Sequence, residues 1–370
     1  MKTLVTYVPA GSGHEKAAEA ICTTLRENDP SAETILLNGL DGMSAWYQWS
    51  FTQGYLDMIH RMPVLWGAAY HLLDIRDLAW AAYKLHRISN ASHGKKLETI
   101  LERYRPDAVV GTHFFPMEVA AYLKTKGRIQ ARLITVITDF LPHSVWISPG
   151  IDRYAVAAEW TREELLRRGV APEKIQVTGI PIHPKFSRKG NRQELAKKLG
   201  LRVDQWTVLI GAGGFGTGPV DRLVDTFARI SEPLQILVVT GKNTALLRRL
   251  EAARERSHHN VVLYGFVDNM DELMDVSDLM VTKPGGLSCA EAMAKGLPML
   301  LNSPIPGQEA RNARLLEQAG IAMQALRLED LPRQIGELRK DPSRLRTMAE
   351  LGRRASFPRA AETVARMVVG

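Results

Sequence analysis

His14 stands in Gly11-Ser12-Gly13-His14, directly after the apolar run Thr3–Val8 and ahead of a helical pattern from Glu15 to Arg26. An imidazole with an unperturbed pKa of about 6.5 can take a proton from a hydroxyl nucleophile at neutral pH. Such a base is worth about 10²–10⁴ in rate. Position 16 is lysine, so the segment lacks the third glycine of a dinucleotide loop. Asp139 follows the run Leu133–Thr138 and is the other candidate base, or the carboxylate that orients base or acceptor. The residues alone leave open which of the two takes the proton.

Further along, Gly211-Ala212-Gly213-Gly214-Phe215-Gly216-Thr217-Gly218-Pro219 joins the run Thr207–Ile210 to a helical pattern over Val220–Arg229. Glycines let a backbone approach phosphate closely, and a helix start offers free N–H groups and partial positive charge. The same glycines would also serve a tight strand-to-helix turn. A dinucleotide site requires an acid at the end of the next strand, about 20 residues on, for the ribose. That strand ends Val239-Thr240-Gly241-Lys242-Asn243, without one. A nicotinamide cofactor is therefore disfavoured, and a ligand rich in phosphate remains. A second strand-to-helix turn, Lys283-Pro284-Gly285-Gly286-Leu287-Ser288, repeats the arrangement. One turn into its helix, Glu291 can accept two hydrogen bonds from ribose hydroxyls. Gln308 and Glu309, behind Pro304 and Pro306, can grip the hydroxyls of a hexose.

The elements that must position these residues read as alternating strands and helices. Short β-branched runs occur at Thr3–Val8, Thr34–Asn38, Ala108–Thr112, Leu133–Thr138 and Arg153–Ala157. A second series occupies Thr207–Ile210, Ile236–Thr240, Val261–Leu263, Leu279–Thr282 and Met299–Leu301. Strands alternating with helices mean parallel sheets covered on both faces, and two series mean two α/β domains. Pro181 and Pro184 break the chain ahead of the polar run Ser187–Arg192, which places a junction at about residues 183–200. We expect an N-terminal domain over 1–185, a C-terminal domain over 200–355 and a closing helix within 356–370. Periodicity alone does not say whether that helix returns to the first domain.

The chain has 370 residues and a formal charge of +8, which favours anionic partners such as nucleotide phosphates or anionic membrane. No helix-turn-helix, zinc finger or RNP-type motif appears, so nucleic acid is not expected. Cys22 and Cys289 are too few for a disulfide framework or metal cluster and read as reduced packing residues of a cytosolic protein. The N-terminus enters a strand with no signal-peptide pattern, and no apolar run approaches the ~18 residues of a transmembrane helix. Nine aromatic residues fall between Trp46 and Tyr83: Trp46, Tyr47, Trp49, Phe51, Tyr55, Trp66, Tyr70, Trp80 and Tyr83. Arg61, Arg76, Lys84, Arg87, Lys95 and Lys96 are interleaved or close by. Trp and Tyr favour the headgroup zone of a bilayer and basic side chains favour its anionic surface, so a segment lying in the interface fits. An aromatic helical core would read the same way. Pro63 implies two shorter helices or a mobile loop.

Taken together, these pieces resemble the GT-B glycosyltransferases of family 28. The similarity is greatest to the glycolipid branch, which holds monogalactosyldiacylglycerol synthase and the processive diacylglycerol glucosyltransferase. The resemblance is carried by Gly11–His14, Thr138-Asp139 with His143 and Trp146, Val177–Pro181, Gly213–Pro219, Gly265-Phe266-Val267 with Met270, Thr282–Glu291 and Ile305–Glu309, in family order over nearly the whole chain. It departs at Lys283-Pro284-Gly285-Gly286, where many relatives have a further proline. The resemblance implies two Rossmann-like domains facing across a cleft and a UDP-sugar donor, UDP-galactose or UDP-glucose. Uracil would lie near Phe266 and Val267, ribose at Glu291, and diphosphate at Gly213, Gly214, Phe215 and Gly216 and at Gly286, Leu287 and Ser288. Lys242 would stabilise the departing UDP, and Gln308 and Glu309 would hold the hexose. The acceptor would be diacylglycerol on the cytoplasmic face of an anionic membrane, approached through Gly13, Trp46, Trp49, Trp66, His143 and Trp146. Inversion at the anomeric carbon and no requirement for metal are implied as well. A lipid-linked peptidoglycan precursor transferase, a soluble UDP-sugar 2-epimerase and a non-catalytic sensor are the competing readings, and oligomeric state is open.

Overall fold

The computed structural model of the protein describes residues 1–41, 43–74, 95–216 and 218–370. Of the residues singled out above, Arg76, Trp80, Tyr83, Lys84, Arg87 and Thr217 lie outside that set, as does the side chain of Tyr55. The described residues form two compact units. One comprises Met1–His183, Ile305–Gln308 and Arg359–Gly370; the other comprises Pro184–Pro304 and Glu309–Pro358.

The first unit holds β1 (Lys2–Tyr7), β2 (Glu33–Asn38), β3 (Ala108–Gly111), β4 (Arg132–Val136), β5 (Arg153–Val156) and β6 (Ile175–Val177). They form one six-stranded sheet in the order β2-β1-β3-β4-β5-β6, parallel throughout. The second holds β7 (Thr207–Gly211), β8 (Gln235–Val239), β9 (Asn260–Tyr264), β10 (Leu279–Thr282), β11 (Met299–Asn302) and β12 (Ala322–Ala325). Its order is β12-β11-β10-β7-β8-β9, again parallel. Central strands covered by helices on both faces must be apolar along their whole length, and β3, β8 and β10 are buried at every residue. The edge strands β6 and β12 escape a reading based on β-branched runs, because Ile-Gln-Val and Ala-Met-Gln-Ala are short and each is interrupted by a glutamine.

Alternate residues of one strand serve opposite faces of the sheet. Leu4 joins Val109, Phe115 and Leu133 in one core. Val5 joins Ala18, Ile21, Val110 and Ile134 in the other, which Val364, Ala365 and Val368 of helix Ala360–Val369 complete. That helix thus belongs to the first unit, and its Met367 carbonyl accepts from Arg132 Nη1 at 3.1 Å. In the second unit, the segment after the junction prolines is tied down by a nearly dry ion pair. Lys295 Nζ lies 2.6 Å from Asp275 Oδ2, with side chains 3% and 5% exposed. The same carboxylate oxygen accepts from Gly190 N.

Each sheet has one place where the chain reverses its direction of travel, between β1 and β3 in the first and between β7 and β10 in the second. Helices leaving two such neighbours pass to opposite faces and open a crevice at the carboxyl ends of the strands, where open α/β sheets bind ligands. Both sets of candidate residues follow these strands.

Candidate functional site

In the first unit, Gly11 ends the turn after β1 with φ +116°, a conformation glycine adopts without strain. Helix Ser12–Asn28 starts at once, so His14 falls in its first turn and Gly13 lies beside it. Across the switch point, Thr112 follows β3. The two turns are stitched together: Thr112 Oγ1 donates to the His14 carbonyl at 2.8 Å, and His14 Nδ1 lies 2.6 Å from the Thr112 carbonyl oxygen. A carbonyl can only accept, so Nδ1 carries the proton; Thr138 Oγ1, 3.1 Å from the same nitrogen, accepts as well. The neutral tautomer is thereby fixed, with the Nε2 lone pair unengaged among the described residues. Burial lowers the pKa of His14 from 6.5 to about 4, against the opposing pull of the Thr112 carbonyl. Its place at the positive end of a helix works in the same direction as burial. Asp139, half-buried, is the next residue after Thr138, so both candidate bases sit on turns that meet at this end of the sheet.

The sequence reading passed over His113. It is 4% exposed, and its ring stands edge-on to that of His14 with centroids 4.9 Å apart. Its Nδ1 accepts from Phe115 N at 3.2 Å, capping helix Phe114–Thr125. Burial, then the neighbouring His14, hold it well below the ordinary histidine range. Trp146 is buried and closes an apolar wall, 6.2 Å from His14 and 6.4 Å from His113.

The aromatic segment divides by helical phase. In helix Ala45–Phe51, Tyr47 and Phe51, four residues apart, turn inward onto Phe115 at 5.8 and 5.3 Å. Trp46 and Trp49, three apart, turn outward and are 68% and 49% exposed. Pro63 is the first residue of helix Pro63–Leu72, behind helix Gln53–Arg61, which gives the two shorter helices. Met58, Met62, Val64, Leu65, Leu72 and Leu73 are exposed there, so half of the large apolar side chains left exposed among the described residues fall between Trp46 and Leu73. Trp66 is half-buried, 6.3 Å from the Tyr70 ring. His143 is buried and positions this region: its Nδ1 accepts from Val145 N, so its Nε2 donates to the Tyr70 carbonyl at 2.9 Å. Asp74, at the end of the segment, receives a bidentate Arg168 at 2.8 and 3.1 Å. No helix among the described residues is long and apolar enough to cross a membrane.

In the second unit, the turns after β7 and β8 interlock backbone to backbone. Lys242 N donates to the Gly214 carbonyl at 3.0 Å, and Asn243 Nδ2 donates to the Gly216 carbonyl at 2.9 Å. Gly216 (φ +62°) and Gly241 (φ +59°) leave no space for a Cβ: each Cα faces main-chain oxygens of the other turn. Gly213 (φ +72°) faces open space. A crevice lined by Gly211, Gly218, Pro219, Lys283 and Asn302 lies at the β7–β10 switch point. Helix Gly286–Lys295 begins beside it with Gly286, Leu287 and Ser288 in its first turn. Glu291 and Glu309 flank that helix start, where burial first and then these two carboxylates push the Cys289 thiol up. Glu309 is buried and Gln308 half-buried. Phe266 is 48% exposed with Lys242 Nζ 5.9 Å from its ring centroid, and Val267 is half-buried. These residues include a basic side chain, two helix N-termini and two carboxylates, groups able to bind phosphate oxygens and to accept from hydroxyls.

Residues 14–182 match the family Monogalactosyldiacylglycerol (MGDG) synthase, and residues 217–364 match the Glycosyltransferase family 28 C-terminal domain. The processive diacylglycerol beta-glucosyltransferase of Bacillus pumilus is 34% identical over 276 residues, 74% of this chain and 71% of that one. The fold is similar to Acinetobacter baumannii MurG, with a TM-score of 0.65 at 15% identity, over 100% of this chain and 99% of that chain. It is also similar to the UDP-GlcNAc 2-epimerase from Neisseria meningitidis bound to UDP-GlcNAc, at 0.60 and 13% identity, with 100% of both chains covered. The fold is therefore GT-B, two Rossmann-like domains, and fold alone does not separate transferase from epimerase. Sequence does: the chain belongs to glycosyltransferase family 28.

Proposed function

We propose that this glycosyltransferase moves a hexose from a UDP-hexose to the free hydroxyl of diacylglycerol at a membrane surface, with inversion. The observation that carries the reading is His14: its Nδ1 is locked as a donor to the Thr112 carbonyl, and its Nε2 lone pair is unengaged among the described residues, ready for a hydroxyl proton. The acceptor oxygen attacks the anomeric carbon, its proton passes to His14 Nε2, and the bond to the UDP oxygen breaks with its electron pair leaving on the diphosphate. Asp139 is the carboxylate that orients the acceptor or balances the imidazolium as it forms. The glycine turn at Gly213, the start of helix Gly286–Lys295 and Lys242 meet the developing charge on UDP. Glu291 holds ribose, Phe266 and Val267 the base, and Gln308 with Glu309 the hexose. The exposed Trp46, Trp49, Val64 and Leu65 support contact with lipid on the cytoplasmic side.

Because the Bacillus pumilus relative is named a glucosyltransferase while the N-terminal family match is named for a galactolipid synthase, both sugars are tested side by side. The purified chain is incubated with anionic vesicles containing diacylglycerol and radiolabelled UDP-glucose or UDP-galactose, and lipid-soluble label is counted. We expect label with UDP-glucose. None with either donor would refute the proposal.

A further inference from the structure

Two imidazoles stand at the β1–β3 switch point, and the reaction above uses only one. His113 is 4% exposed, its Nδ1 is occupied as the acceptor for Phe115 N, and its proton is therefore on Nε2. That N–H makes no hydrogen bond to the described residues. A donor that the protein itself does not engage, on a ring beside a reacting group, is open to an acceptor oxygen on a ligand. The rings of His14 and His113 are edge-to-face, 85° apart in plane and 4.9 Å between centroids. One ring carries an acceptor nitrogen and the other a donor N–H, and the two rings are neighbours.

We propose that His113 is a specificity residue whose Nε2–H donates to a second oxygen of the acceptor, one carbon away from the hydroxyl that His14 deprotonates. An acceptor and a donor on adjacent rings suit a ligand with a hydroxyl and a second oxygen on neighbouring carbons. The glycerol carbon bearing the free hydroxyl of diacylglycerol adjoins an ester-bearing carbon, and the primary hydroxyl of a hexose adjoins the carbon bearing the ring oxygen. A simple long-chain alcohol has the hydroxyl without the second oxygen. Burial keeps both rings neutral at physiological pH, so the donor–acceptor pattern does not change with protonation there. The inference rests on the reading of His14 as the acceptor site.

The test compares kcat/KM for diacylglycerol and for hexadecanol, each in the same vesicles with the same radiolabelled UDP-hexose. His113→Asn keeps an acceptor for Phe115 N, since asparagine is a favoured helix cap, and removes the Nε2–H. The ratio of diacylglycerol to hexadecanol should fall about tenfold, the worth of one net hydrogen bond. His113→Gln restores an N–H at that distance and should keep the ratio within about threefold of wild type. If His113→Asn does not fold, as judged by circular dichroism, His113→Phe keeps the ring stack on Phe114 and carries the same measurement. A merely structural role would depress both acceptors equally, and an unchanged ratio in a folded variant overturns the proposal. Loss of both acceptors alike in folded variants overturns it as well. His14→Gln is run in parallel: retained transfer to both acceptors would refute the base assignment while leaving the His113 ratio to be read on its own.

Discussion

Gly216→Ala separates the two uses a glycine-rich turn can have. Gly216 has φ +62°, and a Cβ there would collide with the Thr240 carbonyl oxygen and come 2.5 Å from Asn243 Cβ. The left-handed conformation costs an L-residue about 1–2 kcal/mol. Pushing the two turns apart would also break the bonds from Lys242 N to Gly214 O and from Asn243 Nδ2 to Gly216 O, at about 1 kcal/mol each. The sum is about 3–4 kcal/mol. In a domain of about 150–250 residues each kcal/mol moves Tm by about 2–4 °C, so the second domain should lose about 10 °C. Gly213→Ala is the control. Its φ of +72° imposes the same conformational cost, but its Cβ would meet nothing, so Tm should fall by about 2–8 °C, roughly half as far. Calorimetry of the two variants reads both shifts, and titration with UDP reads the ligand side. We expect Gly213→Ala to weaken UDP binding out of proportion to its small thermal effect. Equal shifts for the two variants, or a Gly216→Ala protein within 2–3 °C of wild type (roughly 1 kcal/mol), would show that the interlocked turns do not set the stability of this loop.

The base should titrate far below an ordinary histidine: with the His14 pKa at about 4, kcat/KM should hold as pH falls from 7 to about 5 and decline only below that. A midpoint near the unperturbed value of about 6.5 would contradict the burial argument. Since the folded pKa lies below the unfolded one, the same group contributes stability above pH 6.5 that is lost as pH falls towards about 4, visible as a falling Tm. Asp275→Ala strands Lys295 in a site where both side chains are almost wholly buried, and should cost about 3–5 kcal/mol in urea unfolding. Glu337→Ala, at an exposed pair with Arg333, should be nearly silent in the same experiment. Replacing Trp46, Trp49 and Val64 together by serine removes outward-facing apolar groups and should reduce flotation with anionic vesicles while leaving Tm within about 2 °C. Transfer should persist in excess EDTA; its loss, restored by added Mg²⁺, would contradict a reaction driven by side chains and helix ends alone.

Much of the architecture was legible because parallel strands announce themselves as unbroken apolar runs. Val109-Val110 and Leu237-Val238-Val239 can be nothing else once both their faces are covered. Ile175-Gln176-Val177 and Ala322–Ala325 were not legible, since an edge strand needs apolar groups on one face only and these are three and four residues long. The glycine turns were recognisable by composition, yet the partner that forbids a side chain at Gly216 is another turn 24 residues away in sequence, at Thr240, and no local pattern reports it. Counting aromatics between Trp46 and Tyr83 mixed two populations that helical spacing could have sorted: Tyr47 and Phe51 point to the core, Trp46 and Trp49 away from it. His113 carried a usable signal, a histidine two residues beyond the end of β3 just as His14 follows β1. The signal is weak because His113 lacks the flanking glycines that mark the turn at Gly11–His14.

Helix Ala360–Val369 lends Val364, Ala365 and Val368 to the core formed by Val5, Ala18 and Ile21. On the ribosome, the N-terminal sheet must therefore wait for the whole second domain to be translated before one of its faces is sealed. Until then Val5, Val110 and Ile134 have only helix Ser12–Asn28, through Ala18 and Ile21, on that side, so a nascent chain stalled late in synthesis would leave part of this apolar face open to chaperones. Loss of helix Ala360–Val369 alone would damage the domain made first.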